Sequence, residues 1–218
     1  MTKPRLALCI SGQPRTWRHC IDSQMACFAD YDVDVFFHTW DDVEPSEQQA
    51  LRAAYQPVAH AFAARPDFTA HKRNLIQRFG ADVFLDAFDM FYSAQQSITM
   101  ALASGQTYDA IARIRFDLLL DGAVSAKALD LNVLNTFDWM NENFTTDYFF
   151  ITAPHIAQIY AGVYDYILND AFAYYPIQLF VAEAVLRYYL NAHGIRHHYV
   201  RDVAHCLLRN NRIGWTAR

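Results

Sequence analysis

The stretch that most constrains this chain is YDAIARIRFD, residues 108–117. Alternate residues of a strand share a face. Tyr108, Ala110, Ala112, Ile114 and Phe116 make one face, fully apolar; Asp109, Ile111, Arg113, Arg115 and Asp117 make the other. A central strand of an α/β sheet is apolar on both faces. Arg113, Arg115 and Asp117 break that rule together at the carboxyl end, where open α/β sheets place their ligand crevice. Two guanidiniums and one carboxylate there suit a phosphate-bearing ligand, with or without a divalent metal. The competing reading is a buried Arg–Asp ion pair that only satisfies itself.

The rest of the chain frames that strand as part of one α/β domain over residues 1–218. A length of 218 residues supports a sizeable core, and 53% apolar against 19% charged residues excludes a disordered majority. The net charge of −5 argues against a nucleic-acid carrier, while leaving room for a local basic pocket. No apolar run reaches the roughly 20 residues of a membrane helix. The opening MTKPRLALCISGQPR reads as a first strand rather than a signal peptide, because Gly12, Gln13 and Pro14 end its apolar run. Cys9, Cys20, Cys27 and Cys206 form no CxxC and fit reduced, buried thiols of a cytoplasmic protein.

Strands are expected at 5–11, 33–40, 57–62, 108–117, 148–152 and 197–200. Helices are expected at 17–28, 46–55 with Ser46 as cap, 71–79 ending at Gly80, 90–103, from Pro154 to about Ile167, and from Pro176 to about Asn191. Residues 121–146 read as irregular.

Other groups compete for a functional role. SGQPRTW, from Ser11 to Trp17, follows the first strand. A glycine at a strand end exposes N–H groups to an anion, and Arg15 can grip a phosphate bidentately. The plain alternative is a strand-to-helix turn with a surface arginine. The motif is neither a Walker loop nor GxGxxG. In FFHTWDD, Asp41 suits a ribose hydroxyl and Trp40 a base, against a core tryptophan and a satisfied core histidine. Gln178, Glu183, Arg187 and Asn191 share a helix face; a solvated stripe with an i,i+4 Glu–Arg pair competes with a general base at Glu183. His193, His197, His198 and His205 do not have the spacing of a zinc site on one helix.

LCISGQPRTW, DVFFHTWD, MFYSAQQS leading into YDAIARIRFDLLL, TDYFFI and AEAVLRYYLNAHGI occur in one order. That set resembles a group of small bacterial and viral glycosyltransferases of the GT-A fold, in which Arg-x-Arg-x-Asp replaces the usual Asp-x-Asp. The resemblance implies a mostly parallel twisted sheet flanked by helices. It implies transfer of a sugar from a nucleoside-diphosphate sugar to a glycan or other hydroxyl acceptor. By the resemblance Gly12, Gln13 and Arg15 would border the nucleotide; the residues themselves add Ser11, which opens that turn, and Asp41 to the same nucleotide-binding set. Asp117 would hold Mn²⁺ or Mg²⁺, and Glu183 would lie near the acceptor. Because position 115 is arginine, Arg113 and Arg115 can themselves neutralise the leaving diphosphate. A sulfotransferase-like enzyme and a non-catalytic nucleotide- or carbohydrate-binding domain are the rival readings.

Overall fold

The computed structural model describes residues 2–80, 86–138, 144–169, 180–209 and 212–215. The chain begins with β1 (Arg5–Ser11), α1 (Trp17–Cys27), β2 (Asp32–Trp40), α2 (Pro45–Tyr55) and β3 (Ala59–Ala63). Next come α3 (Thr69–Phe79), α4 (Ala87–Leu102) and β4 (Ala110–Arg115). β1 pairs in parallel with β2 on one side and β4 on the other, and β3 pairs in parallel with β2. Strands are thus added outward from β1 in one direction and then, with β4, in the other. Such a reversal, here at the carboxyl ends of β1 and β4, is where open α/β sheets place a ligand crevice.

Beyond β4 the sheet continues through β7 (Phe149–Thr152), β6 (Leu134–Thr136) and β8 (His197–Tyr199). β7 runs antiparallel to both its neighbours, while β6 and β8 are parallel to each other. The expected architecture, a mostly parallel sheet flanked by helices, is what the chain forms.

The pleat divides the core. Leu6, Leu8 and Ile10 pack with Trp17 and Phe28 at α1 and with Leu51 and Tyr55 of α2. Ala7, Cys9, Phe36, Ile111 and Phe150 pack on the opposite side against α4, α5 (Pro154–Ala161) and α7 (Ala182–Ala192). All four cysteines are buried and none is in a disulfide.

Several expectations need correction. β4 stops at Arg115; Phe116 and Asp117 form a turn into β5 (Leu118–Asp121). β5 joins a second sheet with β9 (Ala204–Arg209) and β10 (Arg212–Trp215), ordered β10-β9-β5 and antiparallel throughout. Asp117 therefore leaves the strand face it shared in the sequence pattern. α2 starts at Pro45 after Glu44, with no side-chain cap from Ser46, because proline already supplies a preset first-turn φ. The helix expected from Pro154 is two: Gly162 separates α5 from α6 (Val163–Leu168). A side chain on Gly162 would come within 2.5 Å of the Tyr189 hydroxyl, so the absence of one lets Tyr189 of α7 pack at the junction. The helix start at Pro176, and Gln178, lie outside the described residues; the described part of that helix begins at Ala182.

Candidate active site

The register of β1 with β4 places Ser11 opposite Arg115 and Cys9 opposite Arg113. β2 sets His38 opposite Ser11 on the other flank. The turn after β1 and the charged end of β4 therefore share one end of the sheet. Arg113 and Arg115 project toward the α4–α5 side, the side that carries Cys9 and Ile111.

The two arginines differ. Arg115 donates through Nε to Asp117 Oδ1 at 2.8 Å and through Nη2 to Asp117 Oδ2 at 2.7 Å. This bidentate pair uses both carboxylate oxygens. Burial works against the Arg115 charge, but Asp117, then Asp147 and Tyr148, outweigh it and hold its pKa above the usual value. Arg113 is 1% exposed and donates through Nε only to the Ser11 hydroxyl, at 3.1 Å. Its Nη1 is buried without a hydrogen-bond partner. Burial pulls its pKa down, with Tyr160 and Asp147 opposing.

Gln24 of α1, fully buried, holds the turn that delivers Asp117. Its Nε2 donates to the carbonyls of Leu118 at 2.8 Å, Arg115 at 3.0 Å and Phe116 at 3.3 Å, and its Oε1 accepts from the Tyr55 hydroxyl at 2.9 Å. Leu208 of β9 donates its N–H to the Asp117 carbonyl at 2.8 Å. The second sheet and α1 thus fold the carboxylate back onto Arg115.

The turn after β1 is less open to an anion than its sequence suggests. Gly12 adopts φ +106°, which favours glycine, and a side chain there would meet open space. Its N–H, however, donates inward to the Ser93 hydroxyl at 3.1 Å and the His38 carbonyl at 3.3 Å. The Arg15 N–H donates to the Gln13 carbonyl, and Arg15 Nε to Gln13 Oε1 at 2.9 Å. Arg15 is exposed, whereas Ser11 is buried and serves Arg113.

His38 is 1% exposed; its Nδ1 lies 2.9 Å from Ser93 Oγ and its Nε2 is buried without a partner. Burial pushes its pKa down to about 4. Trp40, 2% exposed, has the Tyr92 ring nearly parallel to it at 6.0 Å and the Arg65 guanidinium 4.7 Å from its centroid. It belongs to the core rather than to a base-stacking surface. Asp41 is exposed just past β2, its N–H donating to Ala63.

Glu183 lies half-buried in the first turn of α7, and its carbonyl accepts the Thr145 N–H at 3.2 Å. Thr145 is two residues before Asp147, which acts on both arginines, so α7 begins at the same end of the sheet. Arg187 Nε and Nη1 are buried without hydrogen-bond partners, so neither makes the i,i+4 bond to Glu183 that the sequence offers. The charge of Arg187, after burial, helps depress the His197 pKa to about 3. The sequence reading missed Gln24, Ser93, Asp147 and Tyr160. Two surface cavities, of about 510 and 440 Å³, are lined by none of these residues; one lies between 123–129 and 197–202 and the other between α4 and α5–α6.

Asp117 does not fit a divalent cation. Both oxygens are engaged by a guanidinium and the residue is 1% exposed. Among the described residues no group of three His, Cys, Asp or Glu side chains is placed to hold a metal.

No family model matches this sequence, and no curated protein is similar to it. Among solved structures, the chain is similar to the apo form of mouse xyloside xylosyltransferase 1. The match covers 90% of this chain and 84% of that one, at 10% identity and a TM-score of 0.47. This likeness is of chain course only and carries no weight for function.

Proposed function

We propose that this chain is a glycosyltransferase that moves a sugar from a nucleoside-diphosphate sugar to a hydroxyl acceptor. One observation carries the reading. Arg113 and Arg115 stand side by side at the carboxyl end of β4, beside the turn after β1, where the strand order reverses. The resemblance of the Gly–Gln–x–Arg, His–Thr–Trp–Asp and Arg-x-Arg-x-Asp runs to GT-A glycosyltransferases agrees with it.

In the reaction the acceptor oxygen bonds to the anomeric carbon, and the bond from that carbon to the diphosphate breaks. The nucleoside diphosphate leaves with the electron pair, and Arg113 and Arg115 stabilise its charge. Exposed Arg15 and Asp41 border the nucleotide. The hydroxyl proton passes to a carboxylate, which we assign to Glu183 for an inverting reaction. The test is release of nucleoside diphosphate from a panel of nucleotide sugars, with simple glycosides as acceptors. Acceptor-dependent release from at least one donor supports the reading. Binding without release by any donor favours a binding domain.

A further inference from the structure

Resting on that reading, we propose that Arg113 is the group that binds the donor diphosphate, and that it does so without a divalent cation. Buried charges are normally paired. Arg113 is 1% exposed, yet its single described hydrogen bond goes to a neutral hydroxyl, and Nη1 has no partner. Arginine does not escape this cost by losing its proton. Asp147 and Asp117 offset part of the Arg113 charge from a distance, but no carboxylate among the described residues hydrogen-bonds it, and Arg115 donates a bond to each Asp117 oxygen.

The Arg115–Asp117 pair is therefore closed and close to neutral, and Arg113 supplies beside it a positive charge that no carboxylate among the described residues hydrogen-bonds. Because 21% of the Arg115 side chain is exposed while Arg113 is 1% exposed, the proposal sets Arg115 at the mouth of the site and Arg113 at its floor. A phosphate oxygen reaching that floor gives Nη1 its missing acceptor and gives the guanidinium a hydrogen-bonded anion. Asp117 is a positioning residue: it fixes the Arg115 guanidinium and keeps it from occupying the position of the phosphate. The stability lost by burying Arg113 is recovered on binding, the usual compromise at a functional site.

The test is calorimetric titration of the intact chain with inorganic pyrophosphate and with UDP, GDP and ADP, in EDTA and again in MnCl₂. Melting temperatures of the wild type, Arg113→Gln and Arg113→Met are measured in parallel. The proposal expects Kd values that agree within about twofold with and without Mn²⁺. It expects Arg113→Gln to weaken binding by about 30-fold or more, with a melting temperature equal to or above wild type. A purely structural arginine gives the opposite pattern: a lower melting temperature in both variants and unchanged binding. If Arg113→Gln does not fold, the Mn²⁺ comparison on the wild type still decides. Binding only with Mn²⁺ overturns this inference and leaves the proposed function standing; no binding under either condition overturns both.

Discussion

The two ends of β1, β2 and β4 each carry buried or half-buried arginine chemistry, with opposite outcomes. At the amino end, Arg5 donates through Nη2 to Asp34 at 2.7 Å and through Nη1 to Gln106 at 3.1 Å. Its backbone N–H donates to Asp109, and the Tyr108 hydroxyl completes Asp34. There the charges are matched and partly wet. At the carboxyl end, Arg113 is dry and bonded to one hydroxyl, and His38 Nε2 also lacks a partner. The same strands thus end in a satisfied clasp on one side and an unsatisfied polar floor on the other. Folding alone explains the first. The proposal accounts for the second by a ligand that arrives after folding.

The largest expected effect tests the closed pair beside that floor. Asp117→Asn removes one partner of a buried ion pair, which costs about 3–5 kcal/mol; urea denaturation measures it. Unchanged stability would show that Arg115 does not depend on Asp117.

Acid comes next. His38 is held neutral by burial, with a pKa near 4 against the ordinary 6.5. Above pH 6.5 both folded and unfolded chains carry it neutral, so stability is flat. Between pH 6.5 and about 4 the unfolded chain takes up a proton that the folded one resists, and stability falls. Below about 4 the loss levels off, at about 3 kcal/mol from this residue. His197 adds to the same decline and extends it toward pH 3. Denaturation midpoints across this range should be shallower in His38→Gln. An identical slope would place His38 in contact with solvent.

Gln24→Ala leaves the carbonyls of the 115–118 turn without their buried donor, an expected loss of about 1–3 kcal/mol. If Gln24 acts by placing Asp117, its loss and that of Asp117→Asn should fall short of additive in the double variant. Simple addition would separate the two. The smallest effect is at the amino end. Arg5→Ala breaks a pair whose side chains are 38% and 30% exposed, so about 0–1 kcal/mol is expected.

The sequence made the first four parallel strands legible, because β1, β2 and β4 are apolar runs of β-formers ended by glycine or charge. It also marked Arg113 and Arg115, since cations on a central strand are anomalous. Asp117 was misplaced because alternation continues through FDLLL, and nothing local reveals that Gln24, ninety residues earlier, pulls the chain into a turn. Asp147 was invisible for another reason. An acid before a strand sits at the carboxyl end of the sheet only if that strand runs antiparallel, and pairing direction is not written in YFFIT. The β9–β10 hairpin was missed although Asn210 and Asn211, between CLLR and RIGW, are a short-loop signal. The glycine turn was over-read: sequence shows a flexible φ at Gly12, but not that Ser93 and His38 take its N–H.

The most direct test of the account makes the same substitution at both ends of the sheet. Wild type, Arg5→Gln and Arg113→Gln are melted with and without the nucleoside diphosphate that binds wild type most tightly, at about 100 times its Kd. Linkage then stabilises wild type by about 2.7 kcal/mol. The account predicts that Arg5→Gln keeps the full ligand-induced shift and Arg113→Gln loses most of it. A full shift in Arg113→Gln, or an equal loss in both variants, would contradict it.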